Sequence, residues 1–413
     1  MNLIEDLKYR NLIYDVTDDK LYGVLNQRPM TFYLGVDPTS DSIHVGHLVT
    51  CLFAKRLAKH GHQPILLIGG GTGLIGDPSG RSTERVLLDL DTTMSHAKAL
   101  EKQLKKILPN AIVLNNYDWL KQYDIISFLR DVGKHFNINT MLAKDSVKSR
   151  LSEGISFTEF TYQIIQSLDW LTLLNDYQCT LQIGGQDQWG NITAGLDLIR
   201  KVKGIEQEAF GLVIPLITKK DGSKFGKTAE GTVWLDPEKT SPYAFYQYWI
   251  NLDDGEAIER LKQFTEMTKE AIENIGELMQ ETPHLRHAQK QIALYLTRLV
   301  HGEQALNQAL NITDALFNNT VQTLSVEELN MVFKAMPNIT TTQPISLIDA
   351  LIDTGLASSK REARTFIKQN AVMVNNEKVI DEHAIIDIGL SIHGLFTVIK
   401  RGKKHYAFIK HTQ

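Results

Sequence analysis

At 413 residues the chain is too long for a single compact core, so two or three domains are expected. With 43% hydrophobic and 22% charged residues it has the make-up of an ordinary soluble globular protein, and no apolar run approaches membrane-spanning length. The net charge of −4 is uneven: residues 343–413 hold ten Lys/Arg and seven Asp/Glu, a net of +3, which leaves −7 for the rest, so the tail either meets a polyanion or is a solvated charged end.

In chain order, "MNLIEDLKYR" carries acids early and no apolar stretch, which argues against a signal peptide. Cys51 and Cys179 stand in no metal-spaced or CxxC pattern, so a reducing, cytoplasmic setting is expected. Short buried strands are predicted at 31–36, 64–69, 111–116, 180–185 and 211–216, with helices at 46–60, 94–107, 124–133, 158–175 and 189–201. Such alternation predicts an α/β fold with a mostly parallel sheet and a ligand site at the carboxyl ends of its strands. From about 242 to 335 helical periodicity prevails. Residues 336–345, "MPNITTTQPI", are polar, Pro-containing and aperiodic, a linker pattern, and 346–413 reads as a small separate unit.

Three stretches invite chemistry. "GGGTGLIGDPSGR" (69–81) contains a G-x-G-x-x-G at Gly71, Gly73 and Gly76. A dinucleotide-dependent oxidoreductase would need a helix to begin there, whereas "GDPSGR" favours turns; a plain surface connection is the other reading. The loop ends in Asp77, Arg81 and Arg85, one carboxylate and two guanidinium groups. "YLGVDPTSDSIHVGHL" (33–48) places His44 and His47 on the first turn of a helix, with Asp41 and Ser42 as N-cap candidates and Gly46 leaving the backbone bare. Helix N-terminal N–H groups and imidazoles suit developing negative charge on phosphate. The alternatives are a metal site, which lacks a third ligand nearby, and two histidines with no role. "TKKDGSKFGKT" (218–228) is a hinge with Gly222 and Gly226 that carries Lys224, Lys227 and Thr228. It is either a phosphate clamp or a solvated lysine-rich loop.

"HVGH" after a first strand, with "KFGKT" about 180 residues later, resembles the HIGH and KMSKS signatures of class I aminoacyl-tRNA synthetases. Val45, Phe225, Gly226 and Thr228 depart mildly from the usual residues. With "GLIGDPSGR", "FTEFTYQIIQSLDW", "QIGGQDQWGNITAGLDLIR" and "TSPYAFYQYWI", they are similar to the bacterial tyrosine-specific branch over nearly the whole chain. The resemblance implies a Rossmann-like catalytic domain (1–220), then a KMSKS-type loop and α-helical anticodon-arm domain (221–335), the linker (336–345) and an α+β RNA-binding domain of ribosomal-protein type (346–413). It implies that Tyr33 and Asp169 hold a substrate phenol, while Tyr162, Gln166 and Asp77 hold its ammonium. ATP, delivered with Mg²⁺ and no protein-bound metal, is expected at Gly35, Asp37, Gly46, Gln182, Asp187, Gln188 and Lys227. Catalysis is expected from Thr39, His44, His47, Arg81, Arg85, Lys224, Lys227 and Thr228. Tyrosine would be activated to the adenylate and passed to the terminal ribose of tRNA(Tyr). A tryptophan-specific relative and a catalytically silent RNA-binding relative are the competing readings. The family is homodimeric, with its contact roughly between 120 and 160.

In "ASSKREARTFIKQNAVMVNNEKV", Lys360, Arg361, Arg364 and Lys368 make one helix face basic, and a hairpin should turn at Asn375–Asn376. The family resemblance assigns this face, with Lys400, Arg401, Lys403 and Lys404, to tRNA.

Overall fold

The computed structural model describes every residue except 81, 82, 84, 149, 152, 153, 219–221, 223, 224, 229, 230 and 413. The chain divides into two compact units, Met1–Leu235 with Asp253–Ala288, and Asp236–Leu252 with Gln289–Gln413. The helices Asp254–Phe264 and Lys269–Glu281 thus group with the first unit rather than with the later helices.

The first unit is built on six strands: β1 (Asp15–Val16), β2 (Thr31–Val36), β3 (Gln63–Ile68), β4 (Ile112–Asn115), β5 (Cys179–Gly185) and β6 (Phe210–Ile214). Their order is β1-β6-β5-β2-β3-β4, parallel throughout except for β1 against β6. Strand β2 coincides with its predicted run, and β3 to β6 are displaced by one or two residues at their ends. Ile65, Leu66, Leu67 and Ile68 are all buried, as a strand covered on both faces requires. Two-residue β1 escapes detection because it is too short to show a period.

Helices Val45–Lys59, Leu90–Ile107, Phe157–Tyr177 and Trp189–Lys203 make the crossovers. The chain runs from β2 outward to β3 and β4, then returns to β5 on the other side of β2. The strand order therefore reverses between β2 and β5, and a crevice opens at their carboxyl ends. Beneath it, fully buried Trp170 packs 6.3 Å from the Tyr33 ring and donates to the Cys179 carbonyl at 3.1 Å. Burying such a ring contributes about 1.5–3 kcal/mol. Cys179 and Cys51 are both buried; desolvation pushes the Cys51 thiol up to about 12 and raises Cys179 as well.

The predicted helix at 124–133 is irregular. One turn, Ile125–Ser127, widens into π geometry over Phe128–Val132 and tightens over Gly133–His135. Ile125, Ile126, Leu129 and Ile138 remain half-exposed or more around it.

The second unit combines helices Pro242–Ile250, Glu303–Asn318 and Val326–Ala335 with a five-stranded sheet. The expected linker is structured: Asn338–Thr341 forms a strand parallel to His405–His411 at the sheet edge. Its polar threonines fit an edge position, and only Ile339 packs inward, so no apolar alternation announces it. The hairpin appears as read, with Val374 opposite Glu377 and positive φ at Asn375 (47°) and Asn376 (71°). The sheet rests on the helices of its own unit: Tyr406 donates to the Leu316 carbonyl at 2.6 Å, Lys410 to Asn330 at 3.1 Å, and Phe396 meets Phe333 at 5.7 Å. Among the described residues, no helix is long and apolar enough to cross a membrane.

Candidate active site

His44 itself is the N-cap of helix Val45–Lys59; Asp41 and Ser42, the expected caps, lie outside it. The reason is a tertiary pairing. Leu235 N–H donates to the Ile43 carbonyl at 2.9 Å and Val45 N–H to the Val233 carbonyl at 3.0 Å, so Ile43 and His44 stay extended against 233–235. The His44 Nδ1 accepts from Gly46 N–H at 3.0 Å, which leaves the ring proton on Nε2. The His44 and His47 rings stack at 4.1 Å and 21°, and Trp234 meets His44 edge-on at 6.0 Å. His47 stays exposed at the cleft surface, and desolvation, then His44 and Arg85, lower its pKa from the usual imidazole value, which favours the neutral ring.

The second signature meets the first directly. Val233 N–H donates to the Gly226 carbonyl at 2.9 Å. A Cβ on Gly46 would lie 2.8 Å from the His44 ring and 3.4 Å from the Phe225 carbonyl; one on Gly226, at φ +85°, would lie 2.6 Å from Val45. The bare backbone at Gly46 thus admits the His44 imidazole and the Phe225 carbonyl of the second signature. Lys227–Thr228 continues as a short strand against Gly231–Thr232. Lys224 and Arg81 lie outside the described residues.

Strand ends supply the pocket floor. Asp37, just past β2, accepts from Thr72 Oγ1 at 2.7 Å and Tyr162 OH at 2.8 Å. Burial lifts its carboxyl to about 6 against those two bonds. Asp169, on helix Phe157–Tyr177, accepts from Asn116 Nδ2 at 2.9 Å and Trp119 Nε1 at 2.8 Å, and burial lifts it to about 7. The other Asn116 amide hydrogen reaches Thr72 Oγ1 at 2.9 Å, and its Oδ1 accepts from Gly71 N–H at 2.7 Å. A continuous chain therefore joins Asp37 to buried Asp169: Tyr162, Asp37, Thr72, Asn116, Asp169, Trp119. Tyr33 is 1% exposed, its hydroxyl finds no partner among the described residues, and the neighbouring Asp169 charge joins burial in raising its pKa.

Asp77 forms a second knot. It accepts from Ser79 N–H at 2.9 Å, Gln188 Nε2 at 2.7 Å and Asn191 Nδ2 at 3.3 Å. Gln166 approaches Gln188 at 3.5 Å. Tyr162 thus stands on Asp37 and Gln166 on Gln188, where the resemblance groups both with Asp77. Arg85 Nε donates to the Asp77 carbonyl at 3.2 Å. Asp187 lies beside Gly80, whose Cβ would come within 3.7 Å of it. Gln182 is buried in β5 with an Oε1 unmatched among the described residues. Gly35 and Thr39 are exposed at the rim, Thr39 N–H bonding the Asp37 carbonyl at 2.9 Å. Among the described residues no group of three or more His, Cys, Asp or Glu is placed to hold a metal.

Sequence reasoning missed Asn116, Trp119, Thr72 and Asn191. The signal for Asn116 was a polar pair closing an apolar strand, "AIVLNN", at the sheet's ligand end.

In the second unit the basic set splits. Lys360 pairs with Asp349 at 3.0 Å; Arg364 and Lys368 approach Glu382 at 3.7 and 3.9 Å on an exposed face; Arg361, Lys403 and Lys404 are exposed. Lys400 departs from the expected RNA face: it is 8% exposed, bonds Asn319 and covers the Tyr406 ring. Arg401 donates to the Leu356 carbonyl at 2.6 Å and stacks on Phe366. Neighbours along a strand point to opposite faces, so a run of basic residues cannot all meet one partner.

A family profile described as "tRNA synthetases class I (W and Y)" matches residues 25–318. The chain belongs to the class I tRNA synthetases. A second profile, the tyrosine–tRNA ligase SYY-like C-terminal domain, matches residues 328–409. The tyrosine–tRNA ligase of Geobacillus stearothermophilus is 49% identical over 419 residues, spanning 100% of both proteins. Among solved structures, the C-terminally truncated mitochondrial tyrosyl-tRNA synthetase of Aspergillus nidulans superposes with TM-score 0.69 at 29% identity, over 76% of this chain and 94% of its own. That of Coccidioides posadasii gives 0.66 at 29%, over 75% and 91%. Class I membership accounts for the reversal of strand order and for the meeting of "HVGH" with the Phe225–Gly226 turn.

Proposed function

We propose that the chain is a tyrosine–tRNA ligase. The carboxylate of tyrosine attacks the α-phosphorus of ATP–Mg²⁺, pyrophosphate leaves, and the tyrosyl group passes from the adenylate to the terminal ribose of tRNA(Tyr). One observation carries the choice of amino acid: an unmatched, buried Tyr33 hydroxyl beside the Asp169 carboxylate. A phenol hydroxyl donating to Asp169 and accepting from Tyr33 satisfies both, and phenylalanine would leave them unpaired. Tyrosine–tRNA ligases are themselves the standard example of an amino acid selected through its hydroxyl without an editing step. Tyr162, Gln166 and Asp77 take the ammonium. Gly35, Asp37, Gly46, Gln182, Asp187, Gln188 and Lys227 hold ATP.

No protein nucleophile is needed, so catalysis comes from placement and from donors aimed at the transferring phosphate. His44 and His47 offer neutral N–H groups at a helix N-terminus. Lys224, Lys227 and Thr228, with Thr39, Arg81 and Arg85, stabilise charge on the leaving pyrophosphate. Lys360, Arg361, Arg364, Lys368, Lys403 and Lys404 meet tRNA. The enzyme is a cytoplasmic homodimer; the exposed Ile125, Ile126, Leu129 and Ile138 support a self-contact there. ATP–pyrophosphate exchange tested with each amino acid decides: tyrosine alone should support exchange, and exchange with tryptophan or none refutes the reading.

Gly46→Ala should slow adenylate formation by about 100-fold, or about 2.7 kcal/mol, because the new methyl, 2.8 Å from the His44 ring, displaces that ring. Tyrosine affinity, read by equilibrium dialysis, should stay near that of the parent, since the pocket residues are untouched.

The pH dependence follows from Asp37 at about 6 and Asp169 at about 7. Both are raised by folding, so their contribution to stability is full below the unfolded carboxylate range and is lost as pH rises through about 6 to 7. A phenol donor prefers an ionised Asp169. Tyrosine affinity should therefore fall as pH drops from about 8 to about 6, while the ligand-free protein gains stability over the same span. Calorimetric titration and thermal melts at each pH check both signs.

A further inference from the structure

Arg260 lies far along the chain from either signature, on helix Asp254–Phe264, and is 7% exposed. Its Nη2 donates to the Thr218 carbonyl at 2.6 Å. Its guanidinium carbon stands 5.0 Å from the centre of the Phe225 ring. Phe225, buried in the second signature, also packs on Phe264 at 5.6 Å, one helical turn beyond Arg260. Nη1 donates to Gln263 at 2.9 Å and Glu256 lies 3.5 Å away, so the guanidinium plane is fixed from its own helix.

The same helix is tied to the helix that carries the first signature. Just past its C-terminus, the Thr265 carbonyl accepts from Arg56 at 2.8 Å and from Arg10 at 3.1 Å, and Arg56 belongs to helix Val45–Lys59. The helix thus touches the far end of the helix that carries the first signature through Thr265, and the second signature through Arg260 and Phe264.

We propose that Arg260 is a positioning residue for adenylate formation: one guanidinium grips Thr218 and Phe225, on either side of the second signature's start, and sets the path along which Lys227 is delivered toward the helix of His44 and His47. This rests on the ligase reading. A guanidinium donates in its plane while its face covers a ring; an ammonium cannot do both. A buried Arg–Glu pair that merely stabilises the fold is the competing account, and it makes no reference to Phe225 or to the reaction.

The test uses full-length Arg260→Lys, Phe225→Leu and the double variant. Phe225→Leu leaves the Arg260 hydrogen bonds in place and carries the test should Arg260→Lys fail to fold. Single-turnover formation of tyrosyl-adenylate should slow by about tenfold in each variant, with tyrosine dissociation constants within about twofold of the parent. The double variant should be no slower than the slower single one, since both remove one clasp. An unchanged rate, an equal loss of tyrosine affinity, or multiplying losses in the double variant overturns the proposal. The unmodified chain is assayed first: no tyrosine-dependent exchange there refutes the ligase reading, whereas an active parent with unaffected variants refutes the clasp alone.

Discussion

Asp169→Asn should reduce kcat/KM for tyrosine activation by about 1,000-fold, or about 4 kcal/mol. The carboxylate accepts from Asn116 on one oxygen and Trp119 on the other. A carboxamide has one acceptor oxygen, so its NH₂ must face one of those donors, and a buried donor set against a donor loses its bond and its solvation together. The substrate phenol would lose its acceptor as well. The damage should appear in both tyrosine affinity and rate, unlike Gly46→Ala, and pyrophosphate exchange over a tyrosine series separates the two. Activation matching the parent's would remove Asp169 from the pocket.

Removing residues 336–413 should leave tyrosine-dependent pyrophosphate exchange within about twofold of the full chain and lower tRNA charging by about 100-fold or more. A cut inside 341–345 would strand Asn338–Thr341, which pairs with His405–His411, and any such cut strips Phe333 of Phe396. Ending the chain at Ala335 respects the strand, though Tyr406 and Lys410 still vanish from Leu316 and Asn330, so the truncated second unit should melt earlier. Full charging by the shortened chain would deny the terminal sheet any part in tRNA recognition.

The parallel sheet was legible because its strands are covered on both faces and so read as unbroken apolar runs, as at Ile65–Ile68. Its site was legible at His44, Asp77 and Asp169 through the motifs around them, "HVGH", "GLIGDPSGR" and "FTEFTYQIIQSLDW", and not through any local period. What escaped is what depends on partners remote in sequence. Whether His44 or Ser42 caps a helix depends on the pairing of 43–45 with 233–235, and nothing local specifies it. Asn116 looks like a turn residue until Asp169 is seen against it. Lys400 reads as one of a basic series, yet the strand turns it toward Asn319. Asn338–Thr341 is too short and polar to carry a period-two signal, and only its neighbour in the sheet makes it a strand.

Cys51 and Cys179 are the chain's only thiols, and both sit in the interior with little thiolate at neutral pH. Alkylating reagents should therefore pass the folded protein by. A cysteine installed at an exposed position such as Arg361 would be the sole target for a fluorophore or cross-linker, so binding of tRNA could be followed without first removing the native sulfurs.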